Sequence, residues 1–287
     1  MATRLRVGDR LTLTRESNVA SASDREPPAR IPCSLPEAFA ATRRGHRVWL
    51  DDGKPGARVE SVSRDSIKLR ITTAAAKGAK LRAGKGINLP DAVLDIDLLG
   101  PHSEDALSFA AECADIVGLS FVSRAHDVER VHEYLDERAR PEVGLILKIE
   151  TQHAFEQLPA LLLQALRGDR PAGVMIARGD LSVECGYERL AEVQEEILWL
   201  CQAAHLPVIW ATEVLDRLAK TGRPSRAEIT DAARGVQAEC VMLNKGPHIV
   251  EAISVLDDIL RRMERHQRKK RPLLPALRFS TYVHKPH

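Results

Sequence analysis

The sequence lacks an apolar run that approaches the roughly 20 residues a membrane-spanning helix needs. Its first residues, Met-Ala-Thr-Arg-Leu-Arg, are followed by a charged Gly-Asp turn instead of an apolar signal segment. The sequence also lacks a large excess of positive or negative charge, because its formal net charge is only +2 in 287 residues. No strong attraction to nucleic acid or to a membrane follows from that balance. We therefore expect a cytoplasmic protein with no membrane partner.

The cysteines lack the spacing of a metal site or a disulfide framework. No Cys-x-x-Cys occurs among the five, which are Cys33, Cys113, Cys185, Cys201 and Cys240. Scattered cysteines, three of them in apolar segments, are typical of reduced thiols in a cytoplasmic protein. We expect no structural zinc site.

The sequence divides into two regions of different character near residue 90. Residues 1–88 carry short strand patterns separated by Gly, Asp and Pro, which predict a small all-β module. Residues 15–30 are polar and contain proline, so they predict a loop. The predicted strands of this module are 10–14, 47–50, 57–62 and 66–72.

Residues 89–266 alternate short apolar strands with amphipathic helices, and a basic tail follows at 267–287. Nearly continuous apolar strands are typical of parallel strands that are covered on both faces. Ser225 and Glu228 have the spacing of a capping box, and Ser123 is a second candidate helix cap. The predicted strands are 116–121, 143–149, 173–177, 207–211 and 240–243, and the predicted helices are 103–114, 125–138, 153–166, 188–204, 225–236 and 248–266.

Five βα units in series predict either a doubly wound sheet or a (β/α) barrel. No Gly-x-Gly-x-x-Gly follows any of the strands, which disfavours a dinucleotide-binding fold. A barrel needs eight strands and this region offers five, with a sixth conceivable at 93–99. Such an open parallel sheet exposes unpaired strand edges, so we expect association through the edges, most simply as a homo-oligomer.

Polar residues follow the predicted strands at their carboxyl ends, the edge that carries the chemistry in both folds. Lys148 and Glu150 are two apart in a strand and share one face. Asp180 follows the next strand, so that two carboxylates can converge on one hard cation. Lys148 beside them would neutralise the charge that develops on a transferring phosphoryl group. The residues thus predict a divalent-metal site for phosphoryl transfer.

Each of these residues also has a structural alternative. Lys148 can form a solvated ion pair with a carboxylate, and Thr212 can be a structural hydroxyl. Arg178 either binds an anion or forms an ion pair in the wall of the sheet. Gly179 permits close approach of the backbone to a ligand, and a helical turn that starts there would offer N–H groups to a carboxylate or phosphate.

Several segments of the chain resemble successive signature segments of the pyruvate kinases, in that family's order. Upstream segments resemble the family's β-rich lid domain and the return into its barrel, so the resemblance reaches from there to about residue 260. It implies a partial TIM-type (β/α) barrel with five of eight strands, preceded by a small β-barrel-like lid domain. The segments are Leu50-Asp-Asp-Gly53, Lys85-Gly-Ile-Asn-Leu-Pro90, Leu119-Ser-Phe121, Lys148-Ile-Glu150, Met175-Ile-Ala-Arg-Gly-Asp180-Leu, Trp210-Ala-Thr212-Glu and Arg223-Pro-Ser-Arg-Ala-Glu228.

The resemblance implies phosphoryl transfer from phosphoenolpyruvate to ADP, giving pyruvate and ATP. In that reading Lys148 stabilises the transferred phosphoryl group, and Glu150 and Asp180 hold Mg²⁺ or Mn²⁺. Thr212 is linked to protonation of the enolate.

The resemblance also implies binding residues. The segment of Ala177, Arg178, Gly179 and Asp180, with Thr212, binds the substrate. Lys85 and Asp52 lie where the lid domain approaches the nucleotide.

The sequence departs from the family in four places. It begins at the lid, so the three strands that precede the lid in the family are not in it, nor are the phosphate-binding arginine and the K⁺ ligands they supply. The segment Met242-Leu-Asn-Lys-Gly-Pro-His248 replaces a family loop near the nucleotide, and Glu213 stands where the family usually has glutamine. The family's C-terminal regulatory domain has no counterpart.

Three hypotheses remain open at this point. The first is an enzyme of pyruvate kinase type that is active when complemented, and the second is a non-catalytic relative that keeps the metal site. The third is a metal-dependent lyase of the phosphoenolpyruvate/pyruvate class, which the lid between barrel strands disfavours. We do not expect the basic run from Arg261 to Arg271 to bind nucleic acid.

Overall fold

The computed structural model describes residues 2–15 and 29–267, which fall into two units. Unit 1 comprises the described residues up to Asp97 together with Val183–Tyr187. Unit 2 comprises Leu98–Ser182 and the described residues from Glu188 onward.

Unit 1 is built mainly of short strands whose alternate residues are buried. In the strand 66–73, Ile67, Leu69 and Ile71 are buried, while the residues between them are more exposed. This period of two gives the sheet one apolar face, which forms the core of the unit. The elements are β1 (Ala2–Leu5), β2 (Arg10–Thr14), β3 (Ala29–Pro32), α1 (Pro36–Ala41), β4 (Arg47–Leu50), β5 (Gly56–Val62), β6 (Ser66–Thr73), β7 (Ala79–Arg82) and β8 (Ile87–Asn88).

The strands of unit 1 form a six-stranded sheet in the order β3-β2-β6-β5-β4-β8 and an antiparallel pair of β1 and β7. The four predicted strands correspond to β2, β4, β5 and β6. Most of the predicted loop 15–30 lies outside the described residues, but its prediction is wrong for Ala29 and Arg30, which begin β3. This strand exists because it pairs with β2, a long-range contact that local sequence does not reveal.

From residue 98 onward, helices and parallel strands alternate. Each of the five predicted strands has a counterpart here, shifted by at most two residues at either end. The elements are α2 (Pro101–Cys113), β9 (Ile116–Leu119), α3 (Ala125–Asp136), β10 (Gly144–Ile149), α4 (Gln152–Glu156), α5 (Leu158–Ala165), β11 (Ala172–Ala177), α6 (Arg178–Cys185), α7 (Leu190–Ala203), β12 (Val208–Ala211), α8 (Asp216–Thr221), α9 (Arg226–Arg234), β13 (Cys240–Val241) and α10 (Ile249–Gln267).

The sheet of unit 2 is parallel throughout and has the order β13-β12-β11-β10-β9. Consecutive strands are therefore neighbours, and the strand order does not reverse as it does in a doubly wound sheet. Of the two predicted folds, this strand order is that of the barrel and not that of the doubly wound sheet. Among the described residues, β9 and β13 each pair on one side only, so the sheet is not closed.

Some local predictions for this region are wrong. Residues 93–99 form no strand. The predicted helix 153–166 is two helices, because Pro159 lies in the first turn of α5 and starts a new helix there. Ser123 is not a cap, since Arg124 occupies the N-cap of α3.

The capping box at α9 is confirmed. Ser225 Oγ accepts the N–H of Glu228, and the Glu228 carboxylate accepts the N–H of Ser225 at 2.8 Å. None of the helices in the described part of the chain combines the length and the apolar character that crossing a membrane requires.

All five cysteines are free thiols; Cys33, Cys185 and Cys201 are buried, while Cys113 and Cys240 are exposed.

Candidate active site

Lys148 and Glu150 lie side by side at the carboxyl end of β10, as their spacing in a strand predicts. The Lys148 ammonium is 2.9 Å from Glu150 Oε1 and donates a hydrogen bond of 2.6 Å to Ser120 Oγ, just beyond β9. The Glu150 side chain is only 5% exposed and that of Lys148 is 26% exposed. The carboxylate of the pair is therefore nearly buried, while its ammonium remains partly exposed.

The second oxygen of Glu150 is held by the backbone that follows β9. The N–H of Phe121 donates to Glu150 Oε2 at 2.5 Å. Phe121 has a φ of 54°, in the left-handed region that non-glycine residues rarely occupy. Both carboxylate oxygens thus face positively polarised hydrogens, which suits a buried anion.

The strand β11 passes directly into α6 without a loop, which sequence reasoning anticipated only as a possible helical turn. Ala177 ends the strand, Arg178 begins the helix, and Asp180 lies in the helix's first turn. A negative charge in a first turn is favourable because the free N–H groups there are positively polarised. The Gly179 N–H is one of these groups, and it donates to Thr212 Oγ1 at 2.8 Å.

Thr212 follows β12 in a strained turn. Its φ is 61°, and those of Glu213 and Leu215 are 56° and 47°. Such conformations cost on the order of 1–3 kcal/mol each and persist where the surroundings impose them, often at functional sites. For β-branched Thr212 the conformation is a clear outlier.

Arg178, the first residue of α6, forms an ion pair, which is the second of its two alternatives. Its side chain is buried, its Nε donates to Ala211 O at 3.0 Å, and another nitrogen donates to Thr212 O at 2.5 Å. It also forms an ion pair with Asp231 of α9, and its guanidinium lies 4.7 Å from the centre of the Trp210 ring. No local pattern marks Asp231, which is 53 residues downstream, so sequence reasoning missed it.

The predicted nucleotide residues of unit 1 lie at a left-handed turn formed by Asp51, Asp52 and Gly53, whose φ values are 49°, 58° and 78°. Lys85 pairs with Asp51 at 2.8 Å, and Lys54 pairs with the other oxygen of Asp51 at 3.1 Å. The hydrogen bond from Lys85 lowers the pKa of the buried Asp51 carboxyl, and Asp51 in turn raises the pKa of Lys85. The Asp52 side chain is 70% exposed. The sequence does not single out Asp51, because it differs from its neighbour Asp52 only in burial, which the sequence does not reveal.

The carboxylates present fit a magnesium-type ion better than a metal enclosed by protein ligands. In the described part of the chain, no three His, Cys, Asp or Glu side chains are grouped as a metal site. Mg²⁺ commonly takes one or two carboxylates and fills its other positions with water and substrate oxygens. Glu150 follows β10, and Asp180 lies in the first turn of the helix that follows the adjacent strand β11.

Comparison with known proteins decides the family. The family model described as pyruvate kinase, barrel domain, matches residues 1–248. The chain belongs to the pyruvate kinase family. All of the predicted site residues of this pyruvate kinase family member, from Asp52 to Thr212, lie within the matched residues.

Individual pyruvate kinases show the same relationship. A pyruvate kinase of Agrobacterium vitis is 33% identical over 277 residues, which cover 93% of this chain and 55% of that protein. One of Thermococcus litoralis is 30% identical over 92% of this chain and 53% of its own length. One of Bacillus licheniformis is 34% identical over 77% of this chain and 37% of its own length. The chain thus aligns with about half, or less, of each of these pyruvate kinases.

Proposed function

We propose that this chain takes part in phosphoryl transfer from phosphoenolpyruvate to ADP, giving pyruvate and ATP. The observation that carries the proposal is the Lys148–Glu150 pair at the carboxyl edge of a barrel-type sheet. A buried carboxylate beside a partly exposed ammonium offers one ligand for a cation and one positive charge for a phosphoryl group.

In this proposal Glu150 and Asp180 hold Mg²⁺ or Mn²⁺. When bound, the metal would neutralise charge on the oxygens of the substrate. Lys148 is already 2.9 Å from Glu150, so its ammonium is positioned to attract a phosphoryl group brought to the same edge. Ser120 accepts a hydrogen bond from Lys148 and limits the directions in which the ammonium can point.

The start of α6 binds the carboxylate of the substrate. The backbone of Ala177, Gly179 and Asp180 forms this segment, and the first turn of a helix attracts anions. We assign Arg178 to the substrate site through its backbone, because its guanidinium is engaged by Asp231 and by two carbonyl groups.

Thr212 serves the protonation of the enolate. Its Oγ1 accepts the Gly179 N–H, so the hydroxyl retains its own hydrogen for a second partner such as water. The hydroxyl is thereby fixed beside the segment that binds the substrate.

Unit 1 contributes to binding of the nucleotide. Lys85 and Asp52 are the residues assigned to the nucleotide; Lys85 pairs with Asp51, and the neighbouring Asp52 side chain is exposed. In this assignment residues 1–88 act as the lid, 89–266 as the barrel part and 267–287 as a tail.

Association through the open sheet completes the proposal. Ile116 of β9 is 61% exposed, Phe121 just after that strand is 44% exposed, and Phe109 of α2 is 68% exposed. Exposed apolar side chains beside an unpaired strand favour contact with another chain. We expect an oligomer, most simply of identical chains, at micromolar concentration; a monodisperse monomer in light scattering would contradict this.

A coupled assay tests the reaction. Purified chain is mixed with phosphoenolpyruvate, ADP, Mg²⁺ and K⁺, and pyruvate is followed by its reduction with lactate dehydrogenase. The assay is run on the chain alone and with the three preceding strands of a related pyruvate kinase added. Turnover in either case supports the proposal, whereas folded protein without turnover in both favours the non-catalytic relative.

A further inference from the structure

The position of the Thr212 hydroxyl depends on backbone that is itself strained. Thr212 and Glu213 both have positive φ values, and Leu215 has a third. The hydrogen bond from Gly179 fixes the hydroxyl but does not hold the backbone of the turn. Some other group must therefore stabilise this conformation.

Arg178 is that group. It donates to the carbonyl oxygens of Ala211 and Thr212, the two residues where the chain leaves β12 and enters the turn. Its guanidinium also lies over the ring of Trp210, which is almost fully buried. One buried side chain thus fixes the carbonyls of the two peptide bonds that flank Thr212.

A buried guanidinium needs a carboxylate in turn, because burial of an unpaired charge is unfavourable. Asp231 of α9 supplies it, with a side chain that is 34% exposed against 5% for Arg178. Asp231 thus stabilises the buried Arg178, and Arg178 in turn stabilises the backbone at Thr212.

We propose that Asp231 is a positioning residue, which acts through Arg178 to hold Thr212 and its hydroxyl at the start of α6. The inference rests on the proposed function for its catalytic consequence, since Thr212 must act on the substrate for its position to affect turnover. That Asp231 and Arg178 hold the turn at Thr212, the geometric part of the inference, follows from their hydrogen bonds and ion pair alone.

The chain provides a matched control at another ion pair. Arg170 is also buried, donates to the carbonyls of Arg140 and Val143, and pairs with Asp136 of α3 at 2.5 Å. These contacts lie where the chain enters β10, at the amino end of the strand, so they are remote from Thr212. Asp136→Ala removes the carboxylate from a comparable buried arginine without touching the turn.

Hydrogen exchange tests the geometric part in the full chain. In Asp231→Ala we expect the amides of residues 211–216 to exchange about tenfold faster than in the unmodified protein. In Asp136→Ala we expect these amides to be unchanged. Unchanged exchange in Asp231→Ala, or an equal acceleration in both variants, would overturn the inference.

Kinetics test the catalytic part. Asp231→Ala should lower kcat about tenfold and leave the KM for phosphoenolpyruvate within about twofold, because the turn is misplaced while the binding segment remains. Asp136→Ala should keep both constants. A rise in KM with unchanged kcat would overturn the positioning role.

Two safeguards keep the outcomes separate. If Asp231→Ala does not fold, Asp231→Asn and Asp136→Asn are compared by the same criteria. If the unmodified protein shows no turnover under any condition of the coupled assay, the proposed function fails, and the exchange measurement alone decides whether Asp231 holds the turn.

Discussion

Lys148 and Glu150 form an ion pair of 2.9 Å in which the carboxylate is nearly buried and the ammonium is partly exposed. A cation that binds Glu150 must share that carboxylate with Lys148. In the proposed function, the same lysine is therefore both a competitor of the metal and the partner of the phosphoryl group.

Replacement of Lys148 by methionine separates these two roles. We expect turnover in Lys148→Met to fall by roughly 10²–10³, as for removal of one group that stabilises transition-state charge. Affinity for Mn²⁺, measured by titration with electron paramagnetic resonance, should be equal or higher because the competitor is gone. Lys220→Met, which removes an exposed lysine paired with Asp216 at 2.8 Å, is the control. Unchanged turnover in Lys148→Met would contradict the role.

Relief of backbone strain should stabilise the turn after β12. Glu213 is exposed and has a φ of 56°, and asparagine tolerates this region better than glutamate. We expect Glu213→Asn to raise the free energy of unfolding by about 0.5–1 kcal/mol, measured by urea denaturation. The same exchange at Glu251, an exposed position in α10, should not stabilise. A loss of stability in Glu213→Asn would show that the turn does not carry strain there.

Buried His132 should make the protein less stable in mild acid. Burial, with Arg170 nearby, lowers the pKa of His132, so the unfolded chain binds a proton more readily than the folded one. The stabilising contribution is thus complete above the unfolded pKa of about 6.5 and is lost as the pH falls below it. We expect His132→Gln to reduce the slope of stability between pH 7.5 and 5.5, measured by denaturant titrations.

The control for this prediction lies in the same helix. His126 is exposed, and His126→Gln should leave the slope as it is. Equal slopes in the unmodified protein and in His132→Gln would rule out the assignment.

The thiols should fall into two reactivity classes. Burial raises the pKa of Cys201 to about 12, and burial also raises the pKa of Cys33. At pH 8 we expect a disulfide reagent to modify exposed Cys113 and Cys240 quickly and the buried thiols only after denaturation. The double variant Cys113→Ser with Cys240→Ser should lose the fast phase. A fast phase that persists would show that a buried thiol is accessible.

The sequence predicts the sheet of unit 2 well because its strands are nearly continuous apolar runs, a local signal. It also predicts that Lys148 and Glu150 meet, since a spacing of two in a strand places them on one face. It leaves the role of Arg178 open, because Asp231 is brought to it only by folding. Positive φ at Phe121 and Thr212 has no local sequence signal at all, since neither residue is glycine or asparagine.

The ion pair of Arg178 and Asp231 also has a consequence for the order of events during synthesis. The ribosome releases Arg178, then Thr212, and only later Asp231. Until α9 has emerged and docked, the buried guanidinium lacks its carboxylate, and the turn at Thr212 lacks its full support. We expect a nascent chain that stops before Asp231 to have the Lys148–Glu150 pair in place beside an unformed turn, so the two parts of the proposed site would form at different times.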